Sequence, residues 1–147
     1  TKEIKKNLEK NKICFGIRSL KQNLNINHRF YIADTFGELG LFFELSTISI
    51  VGGSFSKKGG HNPIEASHFN CAVIFGPNMN NFQEIKEKIL QTKSGFQVND
   101  CEQLAERITI LLKNNDLIKK TTRNFKKLRL DEARKVKALI KNECDKI

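Results

Sequence analysis

The chain has 147 residues, 39% of them apolar and 29% charged, which suits one soluble domain with its own core and excludes a disordered segment. No apolar run nears the roughly 20 residues that a bilayer-spanning helix needs, and no stretch of these residues reads as a signal peptide. The formal charge is +10, and between Lys113 and Ile147 there are 12 Lys and Arg against 5 Asp and Glu. That bias fits an acidic neighbour (nucleic acid, an anionic membrane face or a phosphorylated substrate), and equally a solvated helix face.

Residues 2–11 read as a short basic helix with Ile4 and Leu8 one turn apart. Strand-like CFGIRS (14–19) and RFYIAD (29–34) follow. Residues 37–46 (GELGLFFELS) are apolar almost all round, which predicts a buried helix. ISIVGG (48–53) is a short buried strand, SFSKKGGH (54–61) a loop, NPIEASHFN (62–70) a helix of about two turns, and CAVIFG (71–76) another buried strand. Phe82, Ile85 and Ile89 then recur at helical spacing, with Gly95 as the stop signal. FQV (96–98) is a weak strand. Asp100 is the expected N-cap of a helix striped by Leu104, Ile108, Leu111 and Leu112. A last helical region, about 116–143, carries Ile118, Thr121, Phe125 and Leu128, then Val136 and Ile140, with a break expected near 129–131. Strands that are nearly unbroken apolar runs, alternating with helices, predict a Rossmann-like parallel sheet with helices on both faces. A single domain over 1–147 is expected. Because the chain opens at Thr1, inside a helix, a fragment of a longer protein is also expected.

The four cysteines (Cys14, Cys71, Cys101 and Cys144) lie far apart, with no CxxC pair and no His at zinc-ligand spacing. Reduced thiols in a cytosolic setting are expected, with Cys14 and Cys71 acting as small hydrophobes in apolar runs. No carboxylate cluster suggests a metal. His28 and His68 show no partner at useful spacing.

Two short blocks share one spacing. Thr35-Phe36-Gly37-Glu38 and Asn62-Pro63-Ile64-Glu65 both place a carboxylate three residues after a capping side chain, the form of a capping box. Each glutamate would then simply satisfy its own helix end. Alternatively, two helix N-termini opened by glycine would hold a phosphate, and a carboxylate at the rim would take a ribose hydroxyl pair. The loop between them is not a Walker A loop. Gly52 and Gly53 just before it, and Gly59 and Gly60 within it, would let a ligand approach the backbone closely. Lys57 and Lys58 are either anion contacts or exposed loop lysines, and His61 is either a ligand contact or a packing residue.

The blocks DTFGEL (34–39), GGSFSKKGGHNPIE (52–65) and FGPNMNNF (75–82), with Arg18-Ser19 upstream, resemble the donor-binding half of bacterial 3-deoxy-D-manno-octulosonic acid (Kdo) transferases. That family carries D-T-M-G-E-L, then G-G-S with G-G-H-N-P-L-E, then G-P-H-T-x-N-F. The resemblance is dense over 34–82 and looser to about 140. Phe36 stands for Met, Ile64 for Leu, Asn78-Met79 for His-Thr, and Thr47 for a frequent Asp.

The resemblance implies the C-terminal half of a GT-B glycosyltransferase. The complete enzyme would be inverting and metal-independent, moving Kdo from CMP-Kdo to a lipid A precursor at the cytoplasmic face of the inner membrane. It places CMP contacts on Phe36, Gly37 and Glu38 and on Asn62, Pro63, Ile64 and Glu65, with Glu65 on the ribose. Further contacts are expected at Arg18, Gly53, Ser54, Lys58, Gly60 and His61. The general base would be a glutamate of an N-terminal domain outside this chain, so the chain alone is expected to bind donor without turnover. No cofactor is implied, and no nucleic acid. Another GT-B transferase with a different nucleotide sugar is the alternative. A basic nucleic-acid-binding module is a second one, disfavoured because most of the 11 Phe lie in apolar runs and Trp is absent.

Overall fold

The computed structural model describes residues 1–144, the side chains of Leu139 and Glu143 excepted; the last three residues of the expected 1–147 domain lie outside that range. The chain forms two compact units, Thr1–Gly40 and Leu41–Ile147.

In the first unit, α1 (Lys2–Lys10) buries Leu8 and leaves Ile4 exposed. Strands β1 (Phe15–Ile17) and β2 (Phe30–Ile32) pair in parallel with Gly16 opposite Tyr31. Gly16 is required by close packing: a Cβ there would lie 2.8 Å from the His28 ring and 2.9 Å from that of Tyr31. Cys14, expected to be buried, is exposed because the apolar run narrows to the three residues of β1.

In the second unit β3 (Ile48–Ile50), β4 (Ala72–Phe75) and β5 (Phe96–Gln97) form a parallel sheet in the order β3-β4-β5. Every residue of the central strand is buried. Because side chains alternate across a strand, Val73 and Phe75 enter one core and Ala72 and Ile74 another. The first core takes Ile89 from α3 (Gln83–Gln91) and Phe125 and Leu128 from α5 (Asn115–Cys144). The second takes Leu111 from α4 (Cys101–Lys113) and Ile118 from α5. Helices thus cover both faces, as the unbroken apolar run in β4 requires, and full burial of Val73, Ile74 and Phe75 stabilises the sheet by roughly 1.5–3 kcal/mol each.

Several expected details change. The strands are divided between a two-stranded and a three-stranded sheet. The apolar stretch 37–46 forms a shorter helix, α2 (Leu39–Leu45), with no buried residue; Leu39, Leu41 and Leu45 are exposed. Seven residues give it one packed flank, where Phe43 stacks on Phe69 at 5.6 Å. α5 continues through 129–131 without a break, since nothing there removes a backbone donor. Its stripe splits instead: Ile118, Thr121, Phe125 and Leu128 are buried, whereas Val136 and Ile140 are exposed. Leu112 likewise leaves the α4 stripe for solvent. Asp100 does cap α4, accepting from the Gln103 N–H at 2.8 Å. Gly95 does not stop α3. Lys93 takes the left-handed conformation there (φ 53°), and Gly95 is small because a Cβ would reach 2.9 Å from Ile89 and 3.0 Å from the Val73 carbonyl.

Candidate functional site

In the first unit the ends of β1 and β2 meet. Parallel pairing puts Arg18 and Ser19, just past β1, beside the 34–38 turn that leaves β2. Asp34 is gripped from two directions: the Ser19 N–H donates to Oδ1 at 2.9 Å and the Ser19 hydroxyl to Oδ2 at 2.8 Å. Those bonds hold the Asp34 carboxyl below its ordinary pKa. Arg18 Nε donates to both oxygens of Glu38, at 3.1 and 3.0 Å, and its Nη2 and the Thr35 hydroxyl add bonds to the same carboxylate. The Arg18 bonds, then the Thr35 bond, pull Glu38 down to about 2, and Glu38 in turn raises Arg18. So the Arg-Ser pair and the D-T-x-G-E block form one interlocked corner. Glu38 is no capping-box residue, since its carboxylate is committed to a guanidinium 20 residues upstream. Between the two clamps Phe36 is fully exposed and Gly37 adopts φ +81° with nothing within 4 Å of its Cβ direction.

In the second unit the loops leaving the carboxyl ends of β3 and β4 pack on each other. Ser54 is buried; its hydroxyl donates to the Val51 carbonyl at 2.6 Å and accepts from the Gly76 N–H at 2.8 Å. The Asn78 N–H reaches the Ser54 carbonyl at 2.9 Å. Asn81 donates to the Lys58 carbonyl at 3.1 Å and lies against Gly59, where a Cβ would come within 2.8 Å of its side chain. Gly60 (φ +76°) sits on Met79, whose Sδ would be 2.4 Å from a Cβ. These glycines therefore serve loop-to-loop packing. Ser54 and Gly60, expected as further donor contacts, are buried inside that packing.

The 62–65 block also differs from the capping box. Pro63 precedes a 3-10 helix, Ile64–His68, with no side-chain cap. Asn62 Oδ1 accepts from the Ile64 N–H at 3.0 Å, an Asx turn, and the His61 N–H is bonded to the Gly52 carbonyl at 3.0 Å. A five-residue 3-10 helix has little macrodipole, one of these amides is absent in Pro63 and two are engaged. A phosphate here would meet side chains in place of a row of amides. Those on offer are the exposed Asn62, His61 and Lys58. Glu65 is exposed and, among the described residues, has no hydrogen-bond or ion-pair partner.

Two partners were not legible at short spacing. His68 Nδ1 lies 2.9 Å from Arg129 Nη1, 61 residues away. Asn81 was part of a recognised block, yet its hold on Lys58 needed the two loops together. Among the described residues no three His, Cys, Asp or Glu gather closely enough to hold a metal, and no helix is long and apolar enough to cross a membrane.

The fold is an α/β Rossmann-like one, the kind that forms the C-terminal half of GT-B glycosyltransferases. It is similar to a solved structure, the C-terminal CMP-Kdo binding domain of WaaA from Acinetobacter baumannii. The TM-score is 0.83 and the identity 26%, covering 86% of this chain and 66% of that one. In sequence the chain is 46% identical over 92 residues to the 3-deoxy-D-manno-octulosonic acid transferase of Rickettsia conorii, 63% of this chain and 20% of the relative. It is 41% identical over 114 residues to that of Rickettsia prowazekii, 78% of this chain and 24% of the relative. No family profile matches. The resemblance to the Kdo transferases is borne out, over a chain that spans about a fifth to a quarter of these relatives' length.

Proposed function

We propose that this chain supplies the CMP-Kdo binding part of a Kdo transferase, which transfers Kdo from CMP-Kdo to a lipid A precursor in lipopolysaccharide synthesis. The observation that carries the reading is the GGHNPIE loop. It closes the connection that leaves the carboxyl end of β3, where parallel α/β sheets bind ligands, and ends on an uncommitted carboxylate. A carboxylate with both oxygens open suits the paired hydroxyls of a ribose. The Asn62 amide and Lys58 ammonium are assigned to the CMP phosphate, where positive charge and donors stabilise the leaving nucleotide as the glycosidic bond breaks. Phe36, Gly37, Glu38 and Arg18 join the donor contacts by the resemblance. There the exposed Phe36 ring offers an apolar face to the pyrimidine, and Glu38 holds Arg18 in place. Inversion, independence from metal, a general base outside this chain and action at the cytoplasmic face of the inner membrane are taken from the same resemblance.

Titration of the chain with CMP, followed by amide chemical shifts, tests the reading. Shifts gathered at 35–38 and 60–66 are expected, with UDP a weaker competitor. Equal response to UDP would favour a transferase using another nucleotide sugar, and silence at millimolar CMP would remove the proposal.

A further inference from the structure

At the other edge of the second unit's sheet, the α5 surface holds a recess of about 470 Å³ lined by Asn70, Asn115, Ile118, Lys119, Arg123 and Lys126 among others. That volume lies within the range of about 300–1,000 Å³ usual for small-molecule sites. Asn70 comes just before β4, so the recess opens at the amino ends of the strands, whereas the 51–63 and 76–82 loops leave their carboxyl ends. Lys119, Arg123 and Lys126 stand four and three residues apart, on one flank of α5 beside the buried Ile118 and Phe125. Among the described residues none of these three cations has an acidic partner. Elsewhere the protein does provide them: Glu132 takes both Lys88, at 2.6 Å, and Lys135, at 3.1 Å, and Asp131 takes Arg134 at 3.5 Å. The side-chain amides of Asn70 and Asn115 have no bond among the described residues, and no acid lines the wall.

We propose that this recess binds a phosphate-bearing anion of at least two negative charges. An Arg fork and two ammonium groups around an acid-free hollow match phosphate oxygens, and the two amides add neutral donors. The source is either the headgroup of a phosphorylated lipid or a soluble phosphate ester. The proposal does not rest on the donor reading, since it uses the opposite sheet edge and different residues.

Pyrophosphate titration of the chain, read by amide shifts, is the test, and shifts at Asn70, Asn115, Lys119 and Arg123 are expected. The triple substitution Lys119→Gln, Arg123→Gln, Lys126→Gln changes only exposed side chains and should weaken binding by about tenfold or more. The control Arg134→Gln, Lys137→Gln, Lys141→Gln removes the same charge farther along α5 and should change affinity by less than about twofold. Equal losses from the two triples would show diffuse charge attraction and overturn the site, as would absent shifts at the recess. Co-sedimentation with phosphatidylcholine vesicles, with and without phosphatidic acid, separates the sources. Binding to the acidic vesicles that the recess triple abolishes assigns a lipid headgroup; pyrophosphate binding without vesicle binding assigns a soluble ester. CMP-induced shifts at 60–66 should survive the recess triple, so either reading can fail without the other.

Discussion

The corner at Arg18–Glu38 and the corner at Asn62–Glu65 carry the same local pattern, a capping side chain followed three residues later by a glutamate, and they end in opposite states. Glu38 is held by a guanidinium and a hydroxyl. Glu65 stands in solvent without a partner among the described residues. The difference comes from what the fold brings from elsewhere. Parallel pairing of β1 with β2 delivers Arg18 to the first corner, whereas the second is built on loops whose polar groups satisfy one another. Rigidity is thus achieved in one by an ion pair and in the other by glycine packing, and only the second leaves a free carboxylate.

The sharpest way to break the comparison is through its glycines. Gly60→Ala would press a methyl group to within 2.4 Å of Met79 Sδ at a positive φ, both faults at once. The expected loss is about 2–4 kcal/mol in urea unfolding, with the 52–65 loop the first region to lose amide protection. Gly37→Ala has the same sign of φ and open space around it. Only the backbone term applies, about 1 kcal/mol. Similar losses for the two variants would mean that loop packing does not hold the second corner.

Glu65→Ala sharpens the functional half of the contrast. With no partner to lose, stability should stay within about 0.5 kcal/mol. CMP affinity should fall by about tenfold, the scale of a lost charge-assisted hydrogen bond, and transfer by a full-length enzyme should be abolished. A stability loss with CMP binding intact would return Glu65 to the helix-end role that its spacing suggests.

Much of this was legible because it depends on local composition. β4 could be read from CAVIFG, since a strand buried on both faces has no polar alternation, and Asp100 could be read as a cap from one residue type at one position. The two corners were legible as blocks of sequence. What each residue does inside them was not, because Glu38 and Arg18 are joined by strand pairing and Gly60 and Met79 by loop stacking. Neither is encoded in spacing along the chain. The same limit explains Gly95, whose smallness answers to Ile89 and Val73, and the exposed half of α5. An apolar period predicts a stripe, but burial needs something to cover it.

The smallest expected effect is the most specific to the first corner. Glu38 is pulled down to about 2 by Arg18 and then Thr35, against about 4.3 for an unperturbed glutamate. A carboxylate depressed in the folded state contributes stability that is fully present above the unfolded value. Below pH 4.3 the unfolded chain binds a proton that the folded one refuses, and the contribution fades until Glu38 itself protonates near 2. Carboxyl chemical shifts followed from pH 6 to pH 1.5 should therefore show Glu38 titrating near 2, with the 34–38 turn keeping its amide shifts down to that point. In Arg18→Gln the midpoint should climb toward the ordinary value, while Asp34, held by Ser19, stays low. If Glu38 titrated normally in the unaltered chain, the guanidinium would not be closing the corner. The two glutamates would then be alike in solution, and the contrast between the corners would rest on glycine packing alone.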